Sequence, residues 1–179
     1  MKLSGDKNER EEIFDEVKNF PALFSLRRDK ENFTINTNVP SKSKQEKRVT
    51  QAIELHVQGK ISEAKRSYQY LINQGFNDHR VFSNYGVILN DLGNLHEAEL
   101  STRKAIELNP KFANAHSNLG IILKDLGKLQ EAELSARKAI ELNPKFANAH
   151  SSLGIILKDL GKLQEAELSA RKAIELNPK

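Results

Sequence analysis

A 34-residue segment written twice in succession constrains this chain more than any other feature. Residues 113–146 read ANAHSNLGIILKDLGKLQEAELSARKAIELNPKF, and the run returns at 147–179 as ANAHSSLGIILKDLGKLQEAELSARKAIELNPK. Over the 33 shared positions only one differs, Asn118 against Ser152. One period upstream, residues 79–112 match 113–146 at 24 of 34 positions. Residues 45–78 are more diverged but keep the frame. Gly59 aligns with Gly93, Gly127 and Gly161, Ala64 with Ala98, Ala132 and Ala166, and Leu55 with Leu89, Leu123 and Leu157. A unit of this length cannot bury its apolar surface alone, so units must stack and share a continuous core.

Each unit reads as two helices. In the third, Ala115, Leu119, Ile122, Leu123 and Leu126 recur at three- and four-residue steps, which places them on one helical face. Gly127 closes that helix, because glycine takes the left-handed conformation at a helix end without steric cost. A second face follows in Leu129, Ala132, Ala136, Ala139 and Ile140, and Asn143-Pro144 ends it. The expected pairs are 45–58/61–73, 79–92/95–108, 113–126/129–142 and 147–160/163–176. Ser43 to Glu46 fits a capping box, with Ser43 as N-cap and Glu46 at the third helical position.

Composition agrees. Aromatics make up 6% and charged residues 29%, with the apolar set weighted to Leu, Ile and Ala, which favours helices over sheets. With 0 Cys, disulfide scaffolds, thiol nucleophiles and Cys-ligated metals are excluded. No apolar run approaches the roughly 18 residues that cross a bilayer. The start MKLSGDKNEREE carries no apolar stretch of the kind a signal peptide needs. The expectation is a soluble, cytoplasmic, all-α protein. The net charge of +4 is spread as 9 basic and 8 acidic residues over 1–44, then 5 and 4, 4 and 4, 5 and 4, and 5 and 4 in the units. No dense stripe is left to neutralise a row of phosphates, which argues against a nucleic-acid partner.

The units resemble tetratricopeptide (TPR) repeats. Numbering each from one, the third has Leu119, Gly120 and Leu123 at positions 7, 8 and 11, Ala132 at 20, Ala139 at 27 and Pro144 at 32. The fourth repeats the set as Leu153, Gly154, Leu157, Ala166, Ala173 and Pro178, and the second has Tyr85 for the Leu. The first is weaker, with Ala52 for the Gly, Leu71 for the late Ala and Phe76 for the Pro. The resemblance implies a TPR-type α-solenoid of antiparallel helix pairs, in four units at 45–78, 79–112, 113–146 and 147–179. It also implies that first helices line a concave groove, into which positions 2, 5, 6, 9, 12 and 13 point. Those positions hold Arg80, Ser83, Asn84, Val87, Asn90 and Asp91 in the second unit, and Asn114, Ser117, Asn118, Ile121, Lys124 and Asp125 in the third. In the fourth they hold Asn148, Ser151, Ser152, Ile155, Lys158 and Asp159.

An Asn amide offers two donors and an acceptor, so spaced asparagines can bond the backbone of an extended peptide whatever its side chains. Asn84 and Asn118 resemble the asparagine ladder of O-linked N-acetylglucosamine transferases, which Ser152 interrupts; the other reading is that they only solvate a helix face. The basic clamp of chaperone-binding TPR domains is not matched by Ser83, Ser117 and Ser151 or by the aliphatics Val87, Ile121 and Ile155. His116 and His150 at position 4 are expected to pack between repeats rather than hold a metal, and His56, His79 and His96 to be solvated. The runs KLQEAELSARKAIE read as exposed helix faces carrying charge pairs. No phosphate loop, nucleophile elbow, HExxH motif or isolated carboxylate pair is present, so no catalytic residue, cofactor or metal is assigned.

Residues 1–44 read as a poorly ordered polar leader, in which Ile13, Phe14, Val17 and Phe20 could form one helix face, docking onto the first repeat or a partner, before a linker at Asn32 to Ser43. Lys42 to Arg48 reads as a solvated helix start. At the other end the last helix is expected to expose parts of Leu163, Leu168, Ile174 and Leu176, as in a piece of a longer protein or a chain that self-associates there. Two functions follow. One is an interaction module presenting a groove to a peptide or protein partner. The other is the N-terminal substrate-recruiting arm of a larger glycosyltransferase or sulfotransferase whose catalytic domain is absent from this chain.

Overall fold

The structure, a computed structural model, describes residues 42–178. The expected leader helix around Ile13 to Phe20 and the linker up to Ser41 lie outside the described residues. Within them are eight helices and no strands: α1 (Lys42–Val57), α2 (Ile61–Asn73), α3 (His79–Asp91), α4 (Leu95–Leu108), α5 (Ala113–Asp125), α6 (Leu129–Leu142), α7 (Ala147–Asp159) and α8 (Leu163–Leu176). Seven begin and end within one residue of the expected bounds. The exception is α1, which starts at Lys42, so Ser43 sits inside the first turn rather than at the expected N-cap position. Nothing from Lys42 to Gln45 breaks a helix. The Glu46 carboxylate takes a bidentate, charge-assisted pair with Arg80 of the next unit, at 2.8 Å to each nitrogen.

Each first helix is stopped by the glycine at position 15. Gly127 has φ 77°, its N–H donates to the Lys124 carbonyl at 2.9 Å, and the Lys128 N–H reaches the Leu123 carbonyl at 2.8 Å. These two bonds make a Schellman end, which Gly59, Gly93 and Gly161 repeat. Second helices stop differently. Asn109 and Asn143 are extended ahead of their prolines, and each side-chain oxygen accepts the N–H two residues on at 3.2 Å. The first unit lacks that proline, and Gly75, at φ 73°, closes α2 with another Schellman pair.

In the second, third and fourth units the two helices of a pair meet at the glycine of position 8. A Cβ on Gly120 would stand 3.3 Å from the Ala132 carbonyl oxygen and 3.4 Å from the Ala136 nitrogen. Around this crossing Leu119, Leu123, Leu153, Ile156 and Leu157 bury against Ala132, Ala136 and Ala166. Upstream, Val49, Ala52, Ala64, Tyr68, Leu71, Val81 and Ile88 form the equivalent layer. Ile72, Tyr85 and Ile106 each touch two neighbouring clusters and join the layers into one core.

Backbones of successive first helices approach one another, α1 to α3, α3 to α5 and α5 to α7, while those of successive second helices do not. Close inner spacing and wider outer spacing bend the stack toward the first helices, which makes theirs the concave side. The solenoid is therefore all-α, as expected. No helix among the described residues is long and apolar enough to cross a membrane.

Candidate functional site

The inner face is built from polar side chains that bond across repeats, one period or one period plus one residue apart. Position 5 of one unit meets position 6 of the next. Asn118 Nδ2 donates to Ser83 Oγ at 3.0 Å, and the Ser117 and Ser152 hydroxyls lie 3.4 Å apart. Position 12 meets position 13, where Asn90 Nδ2 donates to Asp125 Oδ2 at 2.9 Å. Position 2 of the second unit, Arg80, bridges Glu46 and its own N-terminal Asp78. Sequence spacing identifies these positions but not their partners, because the pairing depends on the small rotation between units.

The expected groove residues therefore fall into three sets. Ser83, Ser117 and Ser152 are buried and serve as backing for their neighbours. Arg80, Asn84, Asn90, Asn118 and Lys124 are half-buried. Asn114, Asn148, Ser151 and Lys158 are exposed. Ser83 fixes the Asn118 amide, whose oxygen and second N–H are additional to that bond. Asn84 approaches the buried Tyr68 hydroxyl closely enough to oppose, weakly, the rise to about 12 that burial imposes on it. That hydroxyl nevertheless makes no well-aligned hydrogen bond among the described residues.

Asp78, Arg80, Lys124 and Asp125 on this face are each engaged in ion pairs. Burial would raise the Asp125 carboxyl, but bonds from Lys124 and Asn90 outweigh it and hold it below the ordinary range. Asp78 is likewise held low against its own burial by Arg80. Arg80 is kept protonated more firmly still by Glu46 first and Asp78 second.

Four of the histidines take defined places in the fold. His116 Nε2 donates to the Pro110 carbonyl at 2.9 Å and His150 Nε2 to the Pro144 carbonyl at 3.0 Å, so both tie a unit to the loop before it. His56 and His79 are not simply solvated. His56 sits edge-on to Tyr68 and is lowered by burial, partly offset by Asp91. His79 packs edge-on against Phe112 with centroids 4.6 Å apart. Both stand near aromatic rings that only the fold brings together. Arg48, expected to be a solvated helix-start residue, lies over the Tyr70 ring and donates to its hydroxyl at 3.1 Å. No group of three His, Asp or Glu suited to a metal occurs among the described residues.

The outer helices carry a second ladder. Glu99 accepts from Lys128 of the next unit at 2.9 Å while Arg103 reaches Glu131 at 3.2 Å. Glu133 and Arg137 repeat the pattern with Lys162 and Glu165 at 2.7 and 2.6 Å. Burial would raise Glu99, and Lys128 and Arg103 overcome it; for Glu133 the Lys162 bond is the leading cause of a lowered value. These side chains are inter-repeat clasps rather than a merely solvated surface.

Comparison with known proteins agrees with this architecture. Tetratricopeptide repeat models match residues 79–112, 113–146 and 136–167. A search of curated protein sequences gave no match. Among solved structures, the chain resembles TTC0263, a thermophilic TPR protein of Thermus thermophilus, with TM-score 0.69 and 18% identity over 74% of each chain. It also resembles YrrB, described as a TPR protein with an unusual peptide-binding site, with TM-score 0.62 and 23% identity over 78% of this chain and 72% of that one. A Thermobaculum terrenum O-GlcNAc transferase mutant aligns with TM-score 0.68 and 23% identity over 74% of this chain but 26% of its own length. Three repeat models that together span residues 79–167, with a solenoid of antiparallel pairs, show that the chain belongs to the tetratricopeptide-repeat family.

Proposed function

We propose that the chain is a protein–protein interaction module that receives an extended peptide or a segment of a partner protein along its first-helix face. The observation that carries this reading is the Asn118 amide, held by buried Ser83 with hydrogen-bonding capacity left over. Asn84 stands one period away at the same unit position, so two amides recur along the array at the step a bound backbone would follow. Exposed Asn114, Asn148, Ser151 and Lys158 border this face and supply further polar contacts. The likeness to YrrB, described as having a peptide-binding site, supports the same reading at the level of fold.

Nucleic acid is disfavoured as a partner, since Arg80, Arg103 and Arg137 are each paired with carboxylates. The transferase-arm alternative rests on likeness of fold, and Ser152 stands where a third asparagine would extend the ladder. The test is to change Asn84 and Asn118 to Ala together and measure retention of a random peptide pool, with circular dichroism confirming the fold. Retained peptides should fall at least several-fold. Unchanged retention would remove the first-helix face as the site.

A further inference from the structure

One apolar side chain interrupts the outer surface of the array at a regular interval. Leu100, Leu134 and Leu168 stand at the same unit position of α4, α6 and α8 and are 48%, 69% and 68% exposed. Leu134 lies two residues after buried Ala132 and two before buried Ala136, about 200° round the helix from each, so it points directly away from the core. Other large apolar side chains are exposed among the described residues, but none of them recurs in a second unit. The first unit has exposed Arg66 at this position, so the row begins at α4. By sequence, Leu168 groups with Leu163, Ile174 and Leu176 on the last surface of the array. In the structure Leu163 and Ile174 are exposed and Leu176 is half-buried. Leu168 belongs instead with Leu100 and Leu134, which lie inside the array and are exposed although units stack on both sides of them.

Charged residues frame each leucine in the same order. Three residues before it is a glutamate, Glu97, Glu131 or Glu165, and three after it an arginine, Arg103, Arg137 or Arg171; all are exposed. The frame is opposite in sign on its two sides, so it complements itself when reversed. A like helix laid antiparallel, leucine against leucine, brings each glutamate opposite an arginine. Laid parallel, it sets glutamate against glutamate and arginine against arginine. The clasps between units leave room for such a partner. Glu131 accepts from Arg103 through Oε2, and Arg137 donates through Nε and Nη2, so Oε1 of the one and Nη1 of the other are additional to those bonds.

We propose that the leucine row is a self-association surface, on which a second copy of this chain packs its own α4, α6 and α8. Each helix runs antiparallel to its counterpart about a two-fold axis along the array. Leu134 meets its own copy at the centre, and Leu100 and Leu168 meet theirs on either side. Because the array bends away from this side, the middle leucine makes the closest contact, and the buried area stays below that of a permanent dimer. The pair is therefore weak and is populated by concentration. The assignment is independent of the first-helix peptide reading, since it uses the opposite surface and leaves the groove of both copies open.

The test uses the full chain, in which the absence of cysteine makes a single introduced thiol an unambiguous reporter. Sedimentation equilibrium up to about 1 mM should show a monomer–dimer equilibrium, the range in which small interfaces are populated. Leu134→Glu should weaken it at least tenfold, with circular dichroism confirming that the helices are kept. Under mild oxidation the Leu134→Cys variant should cross-link at least tenfold faster than Asn148→Cys, whose thiol would sit on the inner side. When Leu100→Cys is mixed with a size-tagged Leu168→Cys, each should cross-link to its own kind in preference to the other. A chain that stays monomeric throughout, a dimer indifferent to Leu134→Glu, or equal cross-linking of Leu134→Cys and Asn148→Cys would each overturn the proposal. So would a preference for the mixed disulfide, which only the parallel arrangement of helices produces.

Discussion

The helix crossing in the second unit carries a conflict that the third and fourth units lack, and it sets up a two-residue test. Gly86 on α3 faces Thr102 on α4, where the later units place Ala136 and Ala170. A Cβ built on Gly86 would collide with the Thr102 hydroxyl oxygen and stand 3.1 Å from the Ala98 carbonyl oxygen. The Thr102 hydroxyl is itself buried without a hydrogen-bond partner among the described residues. Thr102→Ala removes that unpaired hydroxyl, worth about 1–3 kcal/mol, and gains about 0.5 kcal/mol of helix propensity. The lost buried methyl costs about 0.8 kcal/mol, so the substitution should stabilise by about 1 kcal/mol. Gly86→Ala gains about 1 kcal/mol of propensity but overpacks the crossing by about 1–3 kcal/mol, for a net loss of about 1 kcal/mol. With both changes the collision is gone, and the crossing takes the chemistry of Gly120 and Ala136 with one methyl added. The double variant should then be at least as stable as the parent, with a coupling of about 1–2 kcal/mol between the sites. Urea unfolding followed by circular dichroism measures all four proteins. Additivity within about 0.5 kcal/mol would show that the hydroxyl does not limit the approach of α3 and α4, and the reasoning would fail.

Two further outcomes depend on protonation. Glu133 is lowered by Lys162 and Arg137, so its contribution is present above the ordinary value of 4.5 and lost as pH falls through the folded value. Glu133→Gln should therefore cost about 1 kcal/mol at pH 7 and nothing near pH 2, whereas Glu167→Gln, in identical sequence, should stay within about 0.5 kcal/mol at both; urea midpoints at the two pH values check this. His56 is lowered from 6.5 by burial beside Tyr68, so the stability it withholds from the protonated state is fully present above 6.5 and falls away as pH drops below it. His56→Gln should flatten the melting-temperature profile between pH 7 and 5, and a profile with unchanged slope would contradict the burial account.

How much of this was legible in the sequence varies by level. Helix ends were, because Gly127 and Pro144 act through their own backbone chemistry, and a residue's φ preference needs no knowledge of its neighbours. The bend toward the first helices was implied by the family resemblance. The pairings on the two faces were not. Asn118 and Ser83 are 35 residues apart, and Glu133 and Lys162 are 29 apart. Those offsets depend on how far each unit rotates against the last, which is a property of the packed helices rather than of any segment. Burial of Ser83 and Ser117 followed the same logic: a hydroxyl judged groove-facing by position is covered when the next unit leans over it. Glu46 shows the same limit, since its local sequence suggests a cap and says nothing of the bidentate bond it makes to Arg80 in the next unit.

The near-identity of the third and fourth units separates what a residue is from what it does. Ser117 and Ser151, Ala136 and Ala170, and Glu133 and Glu167 are chemically the same pairs in almost the same local sequence, yet the first of each is covered or clasped and the second is open. Local sequence cannot produce that difference, so the neighbouring unit does. The function of a side chain in this array is therefore set by what stacks on it: the same serine backs an amide, pairs with another hydroxyl, or stands in water. Any unit stacked on the fourth would give it the contacts of the third, and would extend the backed inner face by one further rung at Ser151.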